Sequence, residues 1–119
     1  MFTYNKAEVL GNLGADPLIR TFQNGGRVCK FPVATSNSWK DTEGKWKEET
    51  YWHSIVIFDE HFIKRAEKHL KKGSKVLVEG AMETRKFEKD GQDHYMTEIV
   101  LRQYGKGSLI LVDGTQSED

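Results

Sequence analysis

The amino-acid sequence predicts an all-β fold with one helix, arranged as a small five-stranded barrel. Clusters of Gly, Asn and Asp divide most of the chain into short segments with the alternation and the β-branched residues typical of strands. A single stretch, residues 59–73, has helical periodicity instead. The 119 residues are enough for one domain with one small core.

Turn signals separate the strand-like segments that precede the helix. Residues 24–25 are an Asn-Gly pair, which favours a hairpin between the two neighbouring segments. Pro32 indicates an edge or a bulge in a long strand, because proline cannot donate a backbone hydrogen bond. Residues 40–49 are rich in charge and are predicted to form a loop. The predicted strands cover residues 4–13, 18–22, 27–39 and 50–58.

The helix is recognised by a change of period. Phe62, Ala66 and Leu70 recur at i, i+4 and i+8, while Lys and Glu fill the opposite face. Asp59 is placed to act as the N-cap, and Gly73 suits the position just after the C-terminus. We therefore expect a helix of about three turns between these two residues.

Two further strands, residues 74–88 and 94–104, follow the helix, and residues 105–114 add a short one. The order of three long strands, one helix and two long strands suits an OB-fold barrel, in which the helix closes the bottom between strands 3 and 4. An open α+β sheet with one packed helix is the alternative. We expect residues 1–112 to form the OB-fold domain and residues 113–119 to form a short, acidic, flexible tail.

The composition limits the setting and the partners. The 18 basic and 18 acidic residues balance, so net charge favours neither an anionic nor a cationic partner. Cys29 is the only cysteine, which excludes an intrachain disulfide and a cysteine-based zinc site and fits a reduced, intracellular setting. The sequence has no secretory signal and no apolar stretch of about 18 residues, so we expect no membrane partner.

The three tryptophans, Trp39, Trp46 and Trp52, lie within fourteen positions among charged neighbours. On an extended strand, Trp52 and Phe58 share one face with small and polar residues between them, and we place Trp39 on the same surface. Flat rings interleaved with lysines and arginines favour binding of unpaired nucleic-acid strands, by base stacking and phosphate contacts. The alternative is that the tryptophans are core residues. Trp46 is predicted to lie in the loop, where it either stacks on a base or caps the loop.

The sequence contains no motif for catalysis. The four histidines form no HExxH pattern, and the glycine turns match neither phosphate-binding loop. Carboxylates are scattered along the chain. We therefore expect a binding protein without catalytic activity, metal or cofactor.

A series of specific motifs lies between residues 5 and 101. In order, they are NKAEVLGNLGADPLIR, QNGG, VATSNSWKD, KEETYWHSIVIF, KKGSKVLVEG and TRKFEKDGQDHYMTEIVL. Together they resemble the bacterial single-stranded DNA-binding proteins (SSB). The resemblance implies an OB-fold homotetramer that binds single-stranded DNA without sequence preference, in replication, recombination and repair. An OB-fold primosomal accessory protein and a protein–protein adaptor are the alternatives. With no transit segment visible, a bacterial cytoplasmic location is favoured over a mitochondrial one.

The resemblance also implies roles for individual residues. It places base stacking on Trp39, Trp52, Phe58 and Phe87, and a subunit contact at His53. It assigns phosphate contacts to basic residues along the chain, namely Lys6, Arg20, Lys40, Lys47, Lys72, Lys75, Arg85 and Lys86. The short tail lacks the apolar tip with which family members dock replication and repair proteins, so tail-mediated partners are not expected.

Overall fold

Seven strands and one helix are present in the part of the chain that the structure, a computed structural model, describes (residues 2–102 and 107–112). The predicted tail lies outside these residues. The elements in chain order are β1 (Ala7–Leu13), β2 (Leu18–Thr21), β3 (Arg27–Lys40), β4 (Trp46–Ile57), α1 (Glu60–His69), β5 (Lys75–Lys89), β6 (Gln92–Leu101) and β7 (Ser108–Val112).

Five of the strands close into a ring. β1 pairs with β3, β3 with β4, β4 with β6 and β6 with β5, and β5 returns to β1. These pairings are antiparallel except that of β4 with β6, which runs parallel from Ile55–Ile99 to Ile57–Leu101. β2 pairs with β3, and β7 pairs with β5. The closed ring confirms the predicted OB-fold and rules out the open sheet.

The helix lies between β4 and β5, after the fourth strand along the chain and not after the third as predicted. The difference arises because residues 18–21 form a strand of their own, paired with β3. Since β2 stays outside the closed ring, the helix still follows the third of the five strands that form the barrel. Within residues 2–102 and 107–112, no helix has the length and apolar character needed to cross a membrane.

Asp59 caps the helix as predicted, since its carboxylate accepts a hydrogen bond from the backbone N–H of His61 at 2.8 Å. The predicted end at Gly73 is wrong. The helix ends at His69, because Leu70 already has an extended backbone. Gly73 lies instead in the turn before β5, where its φ of 93° favours glycine.

Alternating side chains fill the barrel, and the helix covers it against β3 and β4. On β4, for example, Ile55 and Ile57 are fully buried, and the helix adds Ile63 and Ala66. One apolar cluster therefore joins the strands to the helix. Its buried members are Leu13, Cys29, Phe31, Val33, Ile55, Ile57, Ile63, Ala66, Leu70, Val76, Val78, Ile99, Leu101 and Leu109.

β3 and β4 form a hairpin that is longer than predicted. The two strands pair continuously out to Lys40 and Trp46, so half of the predicted loop at residues 40–49 is strand. The turn is short because the Asp41 carboxylate accepts a hydrogen bond from the backbone N–H of Lys45 at 2.8 Å. The far half of the hairpin extends beyond the core and is exposed on both faces.

Pro32 lies at the point along β3 where its neighbouring strand changes from β2 to β1. β2 pairs with β3 up to Lys30, and β1 pairs with it from Val33. The Pro32 carbonyl accepts a hydrogen bond from the N–H of Gly14 at 3.0 Å. In an antiparallel strand the N–H and C=O of one residue face the same side, so the missing N–H of Pro32 faces the junction where the β2 ladder ends and the β1 ladder begins. Pro32 therefore lies at an interruption of the pairing of β3, in agreement with the predicted edge or bulge.

Gly11 allows β1 to approach β3 closely, and we expect its replacement to destabilise the barrel. A Cβ at Gly11 would lie 2.1 Å from the carbonyl oxygen of Ala34. Since the ladder fixes that backbone, Gly11→Ala should lower the free energy of unfolding by about 1–3 kcal/mol, measured by urea denaturation. Gly26→Ala is the control, because a Cβ there meets nothing closer than 3.3 Å. Equal urea midpoints for the two variants would contradict this account of Gly11.

Candidate nucleic-acid interface

The outer face of β4 carries the aromatic residue around which the site is built. Trp52, Ser54 and Val56 alternate with the core residues Ile55 and Ile57, so they face away from the barrel interior. Trp52 remains 61% exposed. The predicted division of β4 into an outer and an inner face is confirmed.

The ring of Trp52 rests on Gly14, the residue that follows β1. A Cβ on Gly14 would lie 2.3 Å from Cζ3 and 2.6 Å from Cη2 of the indole. Gly14 is itself held by the hydrogen bond from its N–H to Pro32. The missing side chain of Gly14 therefore sets where the indole can lie, a role that the sequence analysis did not identify.

The other two tryptophans lie on the hairpin, and its register places them on opposite faces. Residues that pair directly across an antiparallel ladder point to the same side. Trp46 pairs with Lys40 and lies on the face of Trp52, whereas Trp39 pairs with Lys47 on the other face. The predictions that Trp39 shares the surface of Trp52 and that Trp46 lies in the loop are therefore wrong. The sequence shows the period of each strand but not the register between them.

Lysines lie beside the hairpin tryptophans. The Nζ of Lys40 is 5.5 Å from the ring centroid of Trp46, which is 69% exposed. Lys47, the partner of Trp39, has its Nζ 4.0 Å from the Asp41 carboxylate. The tip of the hairpin thus combines flat rings with cations on both of its faces.

A groove runs from Trp52 across the outer faces of β6 and β5. Two adjoining depressions form it, one lined by Trp52 and the other by Phe58, and Leu18 and Lys30 line both. Tyr95, an exposed ring that the sequence analysis did not select, lines the first depression. The second depression holds two of the predicted phosphate-binding residues, Arg20 and Arg85.

A buried carboxylate organises the cations of the groove. Glu98 is 5% exposed, and its oxygens lie 3.0 Å from Nε of Arg85 and 3.7 Å from Nζ of Lys30. A buried charge needs partners, so Glu98 holds both cations at the floor of the groove. Lys30 was not among the predicted site residues, although its alternation with the core residues Cys29 and Phe31 could have placed it on the outer face.

Phe58 lies just after β4 and is half-buried in the groove. It packs against a small apolar cluster on the outer face, formed by Val28, Val56 and Val100. The guanidinium of Arg102 lies over the phenyl ring, with Cζ 4.8 Å from the ring centroid. Phe58 therefore has apolar support from the barrel and a cation over its ring.

Glu83 fixes the guanidinium of Arg102. Nη2 lies 2.6 Å from Oε1 and Nε lies 2.9 Å from Oε2, which is a bidentate pair. These hydrogen bonds lower the pKa of Glu83 and raise the pKa of Arg102, so both groups are charged at neutral pH. Neither residue was predicted, because only the fold brings the end of β6 against β5.

Phe87 lies on the hairpin of β5 and β6. It pairs with His94, and the two rings stack with centroids 5.5 Å apart and planes inclined by 22°. Arg85 lies two residues earlier on the same face, with Cζ 5.4 Å from the Phe87 ring. Phe87 therefore continues the outer face beyond the groove.

The eight predicted phosphate-binding residues are not brought together in one place. Lys6 and Lys86 form exposed ion pairs, with Glu79 at 3.3 Å and Asp93 at 3.4 Å. Such pairs contribute little to stability and open readily. The four that lie outside both the groove and the long hairpin are Lys6, Lys72, Lys75 and Lys86.

His53 and Cys29 are held within the fold. His53 lies on the inner face of β4, with Nε2 2.9 Å from Oγ1 of Thr35.

Burial raises the pKa of the Cys29 thiol to about 11, as expected for a packed core residue. No group of three or more metal-ligating side chains occurs in the described ranges, 2–102 and 107–112. The subunit contact of His53 remains a prediction.

Comparisons with known proteins agree with this geometry. The model of the single-strand binding protein family matches residues 4–106. A single-stranded DNA-binding protein of Rhizobium meliloti (strain 1021) is 40% identical over 116 residues, and the match spans 96% of this chain and 66% of that protein. A solved structure of a Plasmodium falciparum SSB complex with ssDNA has a TM-score of 0.86 at 36% identity, covering 95% of this chain and 98% of that chain. The chain therefore belongs to the single-strand binding protein family.

Proposed function

We propose that this chain binds single-stranded DNA without sequence preference and without catalysis, and that it acts in DNA replication, recombination and repair. The observation that carries the proposal is the exposed ring of Trp52 at one end of a groove that also holds Phe58, Arg20 and Arg85. The names of the two similar proteins, one of them solved with ssDNA, support it.

In the proposed mechanism, bases stack on aromatic rings while cations follow the phosphates. Trp52, Phe58 and Phe87 present rings along the outer face of the barrel. Each stacked base contributes about 1–3 kcal/mol, a range drawn partly from proteins of this same family. Every base has a flat face, so stacking is indifferent to sequence. Duplex DNA hides these faces, so the groove prefers single strands.

The hairpin suggests how the DNA passes beyond the groove. Trp46 lies on the face of Trp52, and Trp39 lies on the opposite face of the same hairpin. One strand can contact both hairpin rings only by turning around the hairpin edge. We therefore propose that the DNA wraps around the hairpin, with Lys40 and Lys47 neutralising phosphates on either side.

We also propose that the chain assembles as a homotetramer. An apolar stripe crosses the outer face of β1, β5 and β7, where Leu10 pairs with Leu77 and Leu77 pairs with Ile110. Leu10 is 55% exposed and Ile110 is 49% exposed in the single chain. A stripe of this kind supports burial against another copy of the chain. His53 as a subunit contact and a bacterial cytoplasmic location rest on the resemblance alone.

We expect titration with poly(dT) to quench the tryptophan fluorescence, because stacked bases would contact the indoles directly. The affinity should fall with added salt, with a log–log slope of about −0.7 for each phosphate neutralised. A duplex of equal length is the control and should bind much more weakly.

Three results would contradict this proposal. Unquenched emission at saturating DNA would exclude stacking on the tryptophans. Weak DNA binding together with salt-insensitive binding of a protein would indicate an adaptor. Metal-dependent cleavage of the strand would indicate a nuclease.

Trp52 should carry a large share of the affinity. Trp52→Ala should weaken binding of oligo(dT) by roughly 5- to 150-fold, the equivalent of one lost stacking contact, as measured by fluorescence anisotropy of a labelled oligonucleotide. Trp52→Phe is the matched control and should retain much of the affinity, because it keeps a flat ring. Parent-like affinity of Trp52→Ala would exclude Trp52 from the site.

Gly14 should act on DNA only through the indole that rests on it. Gly14→Ala places a methyl group where the ring lies, so we expect a shifted emission maximum and a weaker affinity for oligo(dT). In the Trp52→Ala background the same substitution should leave the remaining affinity unchanged, since no ring is displaced. An equal loss in both backgrounds would show that Gly14 acts by another route.

A further inference from the structure

Arg102 covers a ring that the proposed mechanism uses for stacking. Its Cζ lies 4.8 Å from the centroid of Phe58. The same phenyl ring packs against the outer cluster of Val28, Val56 and Val100. Together these contacts leave little of the phenyl surface open to a base. A base that approaches Phe58 therefore meets the guanidinium first.

We propose that Arg102 is itself a base-binding residue, which presents its flat guanidinium to a nucleobase of single-stranded DNA while Phe58 supports it from below. The inference rests on the proposed function and refines its site: at Phe58 the base stacks on Arg102, and the phenyl ring supports the guanidinium instead of contacting the base. From the barrel outward, the stacked layers would be the valine cluster, the phenyl ring of Phe58, the guanidinium of Arg102 and the base.

The chemistry of arginine favours this layered arrangement. The guanidinium is planar and delocalised, so it can lie on an aromatic ring with one face and receive a base on the other. The Arg102 side chain is 56% exposed, which leaves it open to solvent. A base stacked directly on Phe58 would have to displace both the cation–π contact and the Glu83 pair. A base stacked on Arg102 keeps both.

The ion pair with Glu83 determines which part of the Arg102 guanidinium can contact DNA. The bidentate pair occupies the guanidinium edge that contains Nε and Nη2, with both carboxylate oxygens engaged. That edge is one of the two that can bind a phosphate with two parallel hydrogen bonds; the Glu83 pair does not use the Nη1 side or the flat face of the guanidinium. Glu83 is therefore a positioning residue, which holds the guanidinium over Phe58 with its face available to a base.

The test compares Arg102→Ala and Arg102→Lys with the parent, using oligo(dT) titrations at several salt concentrations. Lysine keeps the charge next to Glu83 but has no flat face. We expect both variants to lose affinity by roughly 5- to 150-fold, as for one stacked base, and Arg102→Lys to keep the parent's salt slope. Lys68→Ala, which removes an exposed charge from the helix, is the control and should bind like the parent. Thermal unfolding verifies that each variant is folded.

Coupling with Phe58 tests the layers directly. Phe58→Leu keeps apolar packing on the valine cluster but removes the ring under the guanidinium. Combined with Arg102→Ala, its effect on affinity should be clearly less than the product of the two single effects, because both substitutions remove the same stack. Independent, multiplicative effects would overturn the layered arrangement.

The remaining outcomes separate this inference from the proposed function. Parent-like affinity of Arg102→Lys would show that only the positive charge of Arg102 matters and would overturn the proposal that a base stacks on it. Unchanged affinity of Arg102→Ala would show that Arg102 does not contact the DNA. Tighter binding would show that Arg102 blocks access of a base to Phe58. In all three cases the inference alone fails. If the parent itself does not bind oligo(dT), the proposed function fails and this inference fails with it.

Discussion

The parallel pairing of β4 with β6 is the contact on which both the core and the candidate site depend. It aligns Ile55 with Ile99 and Ile57 with Leu101 inside the barrel. Because side chains alternate, the same register aligns Val56 with Val100 on the outer face, where both support Phe58. A slip of one residue would move the apolar set to the outside and the candidate binding face to the inside. Burial of the core therefore fixes the geometry of the groove.

Paired charges, rather than net charge, shape the electrostatics of the groove. Arg85 and Lys30 share the buried Glu98, and Arg102 is paired with Glu83. These carboxylates cancel part of the positive potential, but they also hold long flexible side chains in place before any DNA is present. Ordering such a side chain on binding costs about 0.5–1.5 kcal/mol, so preorganised cations lose less on association. The proposed binding of an anionic strand is thus compatible with a chain of balanced charge.

Local pattern predicts the elements of this protein well and their mutual register poorly. Turn residues and the change of period were enough to predict the barrel strands, the helix and the outward face of Trp52. The opposite faces of Trp39 and Trp46 depend on which residues pair across the hairpin, and a turn closed by Asp41 sets that pairing. Arg102 could not be selected, because its partners come from other strands and join it only in the folded chain. The end of the helix was misplaced because a glycine in the following turn resembles a helix C-cap.

Stability and the proposed DNA binding fall to different residues of β4, and this separation explains how Trp46 and Trp52 can be exposed to solvent. The odd-numbered positions Ile55 and Ile57 are buried, whereas the even-numbered Trp46 and Trp52 contribute no buried contact to the core. The outer half of the β3–β4 hairpin is held by its backbone ladder and its turn and not by core packing. Exposed rings there therefore have little effect on the stability of the fold. Gly14 is the exception, since the backbone just after β1 fixes the ring of Trp52. At that point the barrel itself sets the geometry of the proposed stacking surface, and substitutions that leave the core intact can still move it.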